Sequence, residues 1–359
     1  MPQGLDTSLP TLAEVLGAAG YSTAILGKWH LGLCNEDYWP TSRWGCDLLP
    51  LPAGSSSSRG SWAARRTSTP TGGATPATSR TDGPPANIPG YDFRSNSEVE
   101  AAAEGAYSTD LIGDRAASII LGHNATNPLF LYLPFQAPHD PLMVDAGFQE
   151  LYADIPFVDR QKYLGMVSSL DAAVGRVVEA LQMANMYDDT IILFLSDNGA
   201  PVGGWPGLAD HPMEYGGSNW PLRGGKLTMW EGGTRTPAFI HAPALLAARE
   251  EQAMVHISDW FPTLLTAAGL PVPEGLDGLD LWPRLVEPGL PPHREELLYS
   301  IFLWPSLFGP GPEAWPPVAA LRQGDMKFIW RTLGFSGVWV PAEDGGDQST
   351  PPPEDARYR

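Results

Sequence analysis

Cysteine is nearly absent. The 359-residue chain has only Cys34 and Cys46, which leave their pairing and the redox compartment open because two cysteines do not make a disulfide framework. Basic residues are also scarce: 22 Lys and Arg stand against 41 Asp and Glu, a formal net charge of -19. That balance argues against a general binder of nucleic acid or anionic membrane, whose footprint is usually basic. A local cationic pocket would stand out in such a chain. No stretch approaches the roughly 18 uninterrupted apolar residues of a membrane span. The N-terminus, MPQGLDTSLPTLAEVL, lacks the basic region and apolar run of a signal peptide. Taken literally, these absences describe a soluble chain with no integral membrane segment and no route into the secretory pathway.

Chain punctuation is abundant. With 37 prolines and 39 glycines, turns should be frequent, while a 43% hydrophobic content supports a globular fold. Thr11 and Glu14 have capping-box spacing, and Leu12, Val15, Leu16 and Ala19 recur with a helical period. Tyr21 to Leu26 reads as a short strand. From about residue 49 the composition shifts to Ser, Thr, Gly and Pro, with too little apolar surface to offset chain entropy, so 49–90 is expected to be a low-complexity or disordered insert. Order is expected to resume with a helix over Glu98–Leu121, then an apolar strand within PLFLYLPFQAPH. A long helix over Tyr163–Met186 and a strand over Thr190–Leu195 follow. The repeated order of helix, apolar strand and polar strand end predicts an α/β core with at least part of its sheet parallel. The organisation expected is 1–48 as the start of the core, 91–288 as its main body, 289–340 as a partial C-terminal subdomain and 341–359 as a flexible tail.

In such sheets functional groups collect beyond the carboxyl ends of strands. Asp197 and Asn198 follow an apolar strand directly and offer adjacent oxygen donors for a hard cation; the alternative is an Asx-turn that stops the strand. Lys28 and His30 lie beyond the Tyr21–Leu26 strand and share one side of it if the extended conformation persists, with Trp29 facing the other way. His139 ends another strand, and Lys226 lies in LRGGK ahead of an apolar segment. Each has a plain alternative, a hydrogen-bonding core histidine or a solvent-exposed lysine beside a turn. Brought together with a metal, such groups would suit a phosphoryl- or sulfuryl-transfer centre. Asn124-Ala125-Thr126 is a glycosylation sequon that would be used only in a secreted protein.

GYSTAILGKWHLG, PLFLYLPFQAPHDPL, YLGMVSSLDAAVGRVVEAL, TIILFLSDNGA, GGSNWPLRGGKLTMWEGGTRTPAFI and HISDWFPTLL occur in that order. Together they resemble the sulfatase family, and specifically its arylsulfatase B-like branch, over roughly Leu9–Tyr38 and Tyr91–Tyr299. The resemblance implies an alkaline phosphatase-like fold, a large mixed sheet between helices with a small C-terminal sheet subdomain. It implies hydrolysis of sulfate esters of small molecules or glycans, a calcium ion, and a lysosomal or secreted location for the full-length protein. By the same resemblance, Asp197 and Asn198 would contribute to the calcium site. Lys28 and His30 would attend the nucleophile, while His139 and Lys226 would hold the sulfate and the leaving oxygen. Arg235 matches the neighbourhood of the family's glycine-rich EGG but takes no catalytic role.

The chain also departs from the family. Members carry two consecutive aspartates after a first core strand, and a cysteine in Cys-x-Pro-Ser-Arg that becomes formylglycine. Here Cys34 is followed by Asn-Glu-Asp and Cys46 by Asp-Leu-Leu-Pro, so neither inherits the nucleophile role. The arginine of that motif and the strand expected before the Thr11 helix are missing too. The resemblance therefore implies an N-terminally truncated member with an atypical insert, an incomplete calcium site, an exposed sheet edge and poor stability. Without its nucleophile the chain is expected to be inactive. The alternatives are a non-catalytic binder of sulfated glycans or anions and an alkaline phosphatase-like phosphodiesterase or phosphomutase, for which no Ser or Thr nucleophile motif is evident. Protein partners are left open.

Overall fold

The computed structural model describes residues 9–29, 93–96, 98–100, 103, 105–201, 216–226, 228–302 and 318–330. His30, Cys34, Cys46, the predicted 49–90 insert and the predicted 341–359 tail lie outside the described residues. The chain divides into two compact units, Met1–Val144 with Met166–Tyr187, and Asp145–Gly165 with Asp188–Arg359.

The first unit opens with α1 (Leu12–Ala18). Its capping box forms as the sequence predicts: the Glu14 N–H donates to Thr11 Oγ1 at 3.3 Å, and the Thr11 N–H donates to Glu14 Oε2 at 2.7 Å. Next come β1 (Ser22–Ile25), a small hairpin of β2 (Arg94–Ser95) with β3 (Glu98–Val99), α2 (Ser108–Leu121) and β4 (Leu129–Tyr132). β1 and β4 are parallel neighbours, with Ser22 opposite Leu129 and Ile25 opposite Tyr132. The helix expected over Glu98–Leu121 is shorter than the sequence suggests. Glu98 and Val99 pair with Ser95 and Arg94 instead, and Gly105 takes φ +80, outside the helical region, so α2 starts only at Ser108.

Two more helices follow, α3 (Ala146–Glu150) and α4 (Val158–Met183). The α4 segment from Met166 onward belongs to the first unit. There a Cβ added to Gly113 of α2 would lie 3.0 Å from the Ala173 Cβ, so small residues let the two helices approach closely. Arg176 bridges Asp110 at 2.8 Å and Asp114 at 2.9 Å, but these carboxylates are 45% and 64% exposed. Such half-exposed pairs contribute at most about 1 kcal/mol each. Leu26, Ile112 and Ile120, each at most 2% exposed, contribute roughly 1.5–3 kcal/mol apiece. Apolar burial therefore dominates this packing. Leu26, Phe93, Ala103, Ile112 and Ala116 form its centre, with Leu131, Phe135 and Val177 against them.

In the second unit β5 (Ile192–Leu195) pairs antiparallel with β6 (Ala238–His241), and between them in sequence lies the short helix α5 (Glu231–Thr234). Phe194 and Phe239 stack across that pair with ring centroids 5.2 Å apart. A 3₁₀ turn over Ile257–Asp259 leads into α6 (Trp260–Ala267), followed by α7 (Trp282–Val286). The expected small C-terminal sheet is an antiparallel meander of β7 (Glu296–Phe302), β8 (Val318–Gln323) and β9 (Met326–Trp330). Among the described residues the first unit holds the parallel β1–β4 pair and the second holds the antiparallel β5–β6 pair. This is an α/β architecture with strands of both orientations.

Candidate functional site

Beyond the carboxyl ends of β1 and β4 the two chains keep bonding. The Leu26 N–H donates to the Tyr132 carbonyl at 3.0 Å, and the Lys28 N–H donates to the Pro134 carbonyl at 2.8 Å. Gly27 makes this possible. A Cβ there would lie 2.1 Å from the Pro134 oxygen, and its φ of +135 disfavours side chains. Lys28 is thus fixed by its backbone at the polar end of the parallel pair. His139 follows the same end of β4, where its N–H donates to the Gln136 carbonyl at 2.8 Å. Its Nδ1 is 2.8 Å from Asp140 Oδ1, and the imidazole is 45% exposed. His139 is therefore a half-exposed histidine beside a carboxylate, with its Nδ1 also 2.9 Å from the Asp140 carbonyl. Lys28 and His139 both lie in the segments that follow the carboxyl ends of β1 and β4.

Asp197, Asn198 and Lys226 lie in the second unit, on segments joined by a backbone bond. Asp197 is exposed at the end of β5, and Asn198 Nδ2 donates to the Gly199 carbonyl at 3.0 Å. The next residues are bound into a mesh of glycine-rich backbone. The Gly199 N–H donates to the Gly233 carbonyl at 3.1 Å, and the Lys226 N–H donates to the Ala200 carbonyl at 3.0 Å. Asn219 seals the mesh: its Oδ1 accepts from the Ala200 N–H at 2.8 Å, while its Nδ2 donates to the carbonyls of Ala200 and Gly224 at 2.9 and 3.0 Å. The Arg223 guanidinium stacks 3.8 Å over the Trp230 ring, holding the other side of the Lys226 loop.

Glu231 and Asn219 are residues that the sequence reading did not single out. Glu231, on α5, takes Lys327 Nζ at 2.8 Å and Arg322 Nη1 at 3.2 Å, and Lys327 also donates to Thr234 Oγ1 at 3.0 Å. Burial lowers the Lys327 pKa from its ordinary value, and Glu231 works in the opposite direction by stabilising the ammonium. This ion-pair cluster ties the C-terminal sheet to the turn that backs Gly199. The available signals were the Gly-Gly pair after Glu231 and the Gly-Gly before Ser218-Asn219, since clustered glycines mark close backbone approach.

Calcium prefers six to eight oxygen ligands, several of them carboxylates. Asp197 supplies one carboxylate, and Asn198 offers an amide oxygen while its nitrogen is engaged with Gly199. Among the described residues no group of three or more His, Cys, Asp or Glu is arranged to hold a metal. These two donors by themselves do not fit a calcium ion, so no chemical step is assigned to one.

The Sulfatase family model matches residues 1–270. Mouse (Mus musculus) arylsulfatase J is 36% identical over 357 residues, covering 95% of this chain and 54% of that protein. Human (Homo sapiens) arylsulfatase A is 31% identical over 342 residues, covering 92% of this chain and 60% of that one. Among solved structures, Ps i-CgsB in complex with k-i-k-neocarrahexaose is similar with a TM-score of 0.68 and 27% identity, covering 92% of this chain and 67% of that one. The chain spans about half to three-fifths of the length of these two curated relatives. With an α/β fold, charged groups at strand ends and a family model matching three-quarters or so of its length, this chain belongs to the sulfatase family.

Proposed function

We propose that these 359 residues form the core of a sulfuric ester hydrolase of the arylsulfatase B-like branch, without a nucleophile of its own. The observation that supports the reading is the mesh in the second unit, where the backbone bond from Lys226 to Ala200 ties the Lys226 loop to the chain just beyond Asp197-Asn198. Lys28, His30, His139 and Lys226 are the proposed sulfate-handling groups, and Asp197 and Asn198 the proposed calcium-side donors. The 359 residues contain no Cys-x-Pro-Ser-Arg. Hydrolysis of sulfated small molecules or glycans, calcium dependence and a lysosomal or secreted location are then properties of a longer protein that supplies the missing aldehyde and aspartates.

The test is chemical. The full chain is co-expressed with an active formylglycine-generating enzyme and treated with an aldehyde-reactive hydrazide, with an intact arylsulfatase as positive control. The expected result is labelling of the control and none of this chain, with Cys34 and Cys46 recovered as thiols or a disulfide. Labelling at either cysteine would overturn the reading. A second reading is a non-hydrolysing binder of sulfated glycans, favoured by cationic strand-end groups in a chain of net charge -19.

A further inference from the structure

We propose that Asn124 carries an N-linked glycan and that the fold presents it on the face opposite the Lys28–His139 strand end. Asn124-Ala125-Thr126 is the one sequon in the sequence. It occupies the connection between α2 and β4, and all three residues are exposed. The connection is a closed turn. The Asn127 N–H donates to the Asn124 carbonyl at 3.0 Å, His123 Nε2 lies 2.8 Å from the Asn127 carbonyl, and the Thr126 N–H donates to Asn124 Oδ1 at 3.2 Å. The turn's own hydrogen bonds therefore use the oxygen of the Asn124 amide. Nδ2, the atom that accepts a sugar, makes no hydrogen bond among the described residues. Neither helix nor strand hydrogen bonds would be lost on modification.

Position within the first unit gives the site its consequence. The Ser22 N–H donates to the Pro128 carbonyl at 2.8 Å, so the turn sits at the amino ends of both β1 and β4. Lys28 and His139 follow the carboxyl ends of the same parallel pair. Four paired residues at about 3.3 Å each set these ends apart by roughly 13 Å before the loops are counted. A glycan on Asn124 leaves the Lys28–His139 end open to solvent, while shielding the amino-terminal strand ends. In the transfer itself, the C1–O bond of a polyprenyl-diphosphate-linked oligosaccharide breaks and a C1–Nδ2 bond forms. Asn124 Nδ2 loses one proton, and the polyprenyl diphosphate departs with the electron pair.

The proposal rests on the secretory location given under the proposed function, and the experiment separates the two. The full chain behind a cleavable heterologous leader is produced in animal cells, with protease protection used to select the lumenal fraction. A single mobility step removed by peptide-N-glycosidase is expected, absent in Asn124→Gln and Thr126→Ala and retained in Thr126→Ser. Lumenal chain without that step would overturn the glycan site, whatever the natural location. The transcript's own full-length product is followed in parallel without the heterologous leader. Glycosylation there supports both statements. Glycosylation confined to the leader-directed chain would sustain the acceptor site and overturn the natural secretory location, and with it the claim that the native protein carries the glycan.

Discussion

Gly199→Ala is expected to destabilise the second unit by about 3 kcal/mol or more, at the upper end of overpacking substitutions. A Cβ at this position would lie 1.6 Å from the Gly232 oxygen, 2.8 Å from the Gly232 carbonyl carbon and 3.0 Å from Asn219 Oδ1. The obstacle is backbone, so no rotamer change relieves it. Moving Gly232 would pull on the Gly199–Gly233 bond and on the Gly232 N–H, which donates to the Arg223 carbonyl at 2.7 Å. Separation of the Asp197-Asn198 turn from the Lys226 loop is the expected structural result. Gly175→Ala is the matched control. It lies inside α4 with nothing within 4 Å of an added Cβ, so the same substitution there should stabilise by roughly 0.5–1 kcal/mol. Urea titration of both variants checks the pair, and equal small effects would show that the glycine mesh is loose.

Asp259→Ala should cost roughly 3–5 kcal/mol, the range for removing one partner from a buried charge pair. The carboxylate is fully buried and receives the Leu279 N–H at 2.9 Å, the His256 N–H at 2.8 Å, Arg294 Nε at 3.1 Å and His293 Nε2 at 3.2 Å, with Arg294 Nη2 also on Oδ1. Three segments of sequence, 256–259, 279 and 293–294, meet at this one side chain. Burial alone would raise its pKa, but hydrogen bonds from His293, Arg294 and the Leu279 and His256 amides outweigh that and hold it well below the usual carboxylate range. A depressed carboxyl pKa gives stability that is present above the unfolded-state value and lost as pH falls through the folded one. His256 acts in the same direction. Burial lowers its pKa, which Asp259 partly opposes, so the folded state resists protonation as pH falls below the ordinary 6.5 and stability drops there too. Chemical denaturation should therefore show wild-type stability declining as pH falls below about 6.5 through His256, and declining further below about 3.8 as the Asp259 contribution is lost. Asp259→Asn, which keeps the shape and loses the charge, should start lower at neutral pH. An Asp259→Asn variant as stable as wild type would contradict the role assigned to the charge.

Local signals were legible in the sequence wherever a local interaction decides the structure. Thr11 and Glu14 close their capping box on each other, and the apolar runs before Lys28 and Asp197 become β1 and β5. Glu98–Tyr107 misled because Glu and Ala favour helix, whereas the hairpin with Arg94–Ser95 and the turn at Gly105 decide this segment. The strand-end positions of Lys28, His139 and Asp197 followed from apolar runs with polar ends. Glu231 was invisible for a different reason. Its partners Arg322 and Lys327 lie 91 and 96 residues further on, and no periodicity links them. Asp259 depends in the same way on Arg294, 35 residues away. Long-range ionic closure of this kind leaves no pattern in a single sequence.

On the proposed reading, these 359 residues lack the group that attacks sulfur, and Lys28, His139 and Lys226 are left to bind and polarise the ester. Sulfate release by the purified, calcium-loaded full chain from a chromogenic aryl sulfate measures this directly, with an intact arylsulfatase alongside. The expected result is no release above the protein-free rate, whether or not sulfated sugars bind. Sustained multiple turnover near the rate of the intact enzyme, abolished by Lys226→Ala, would contradict the account.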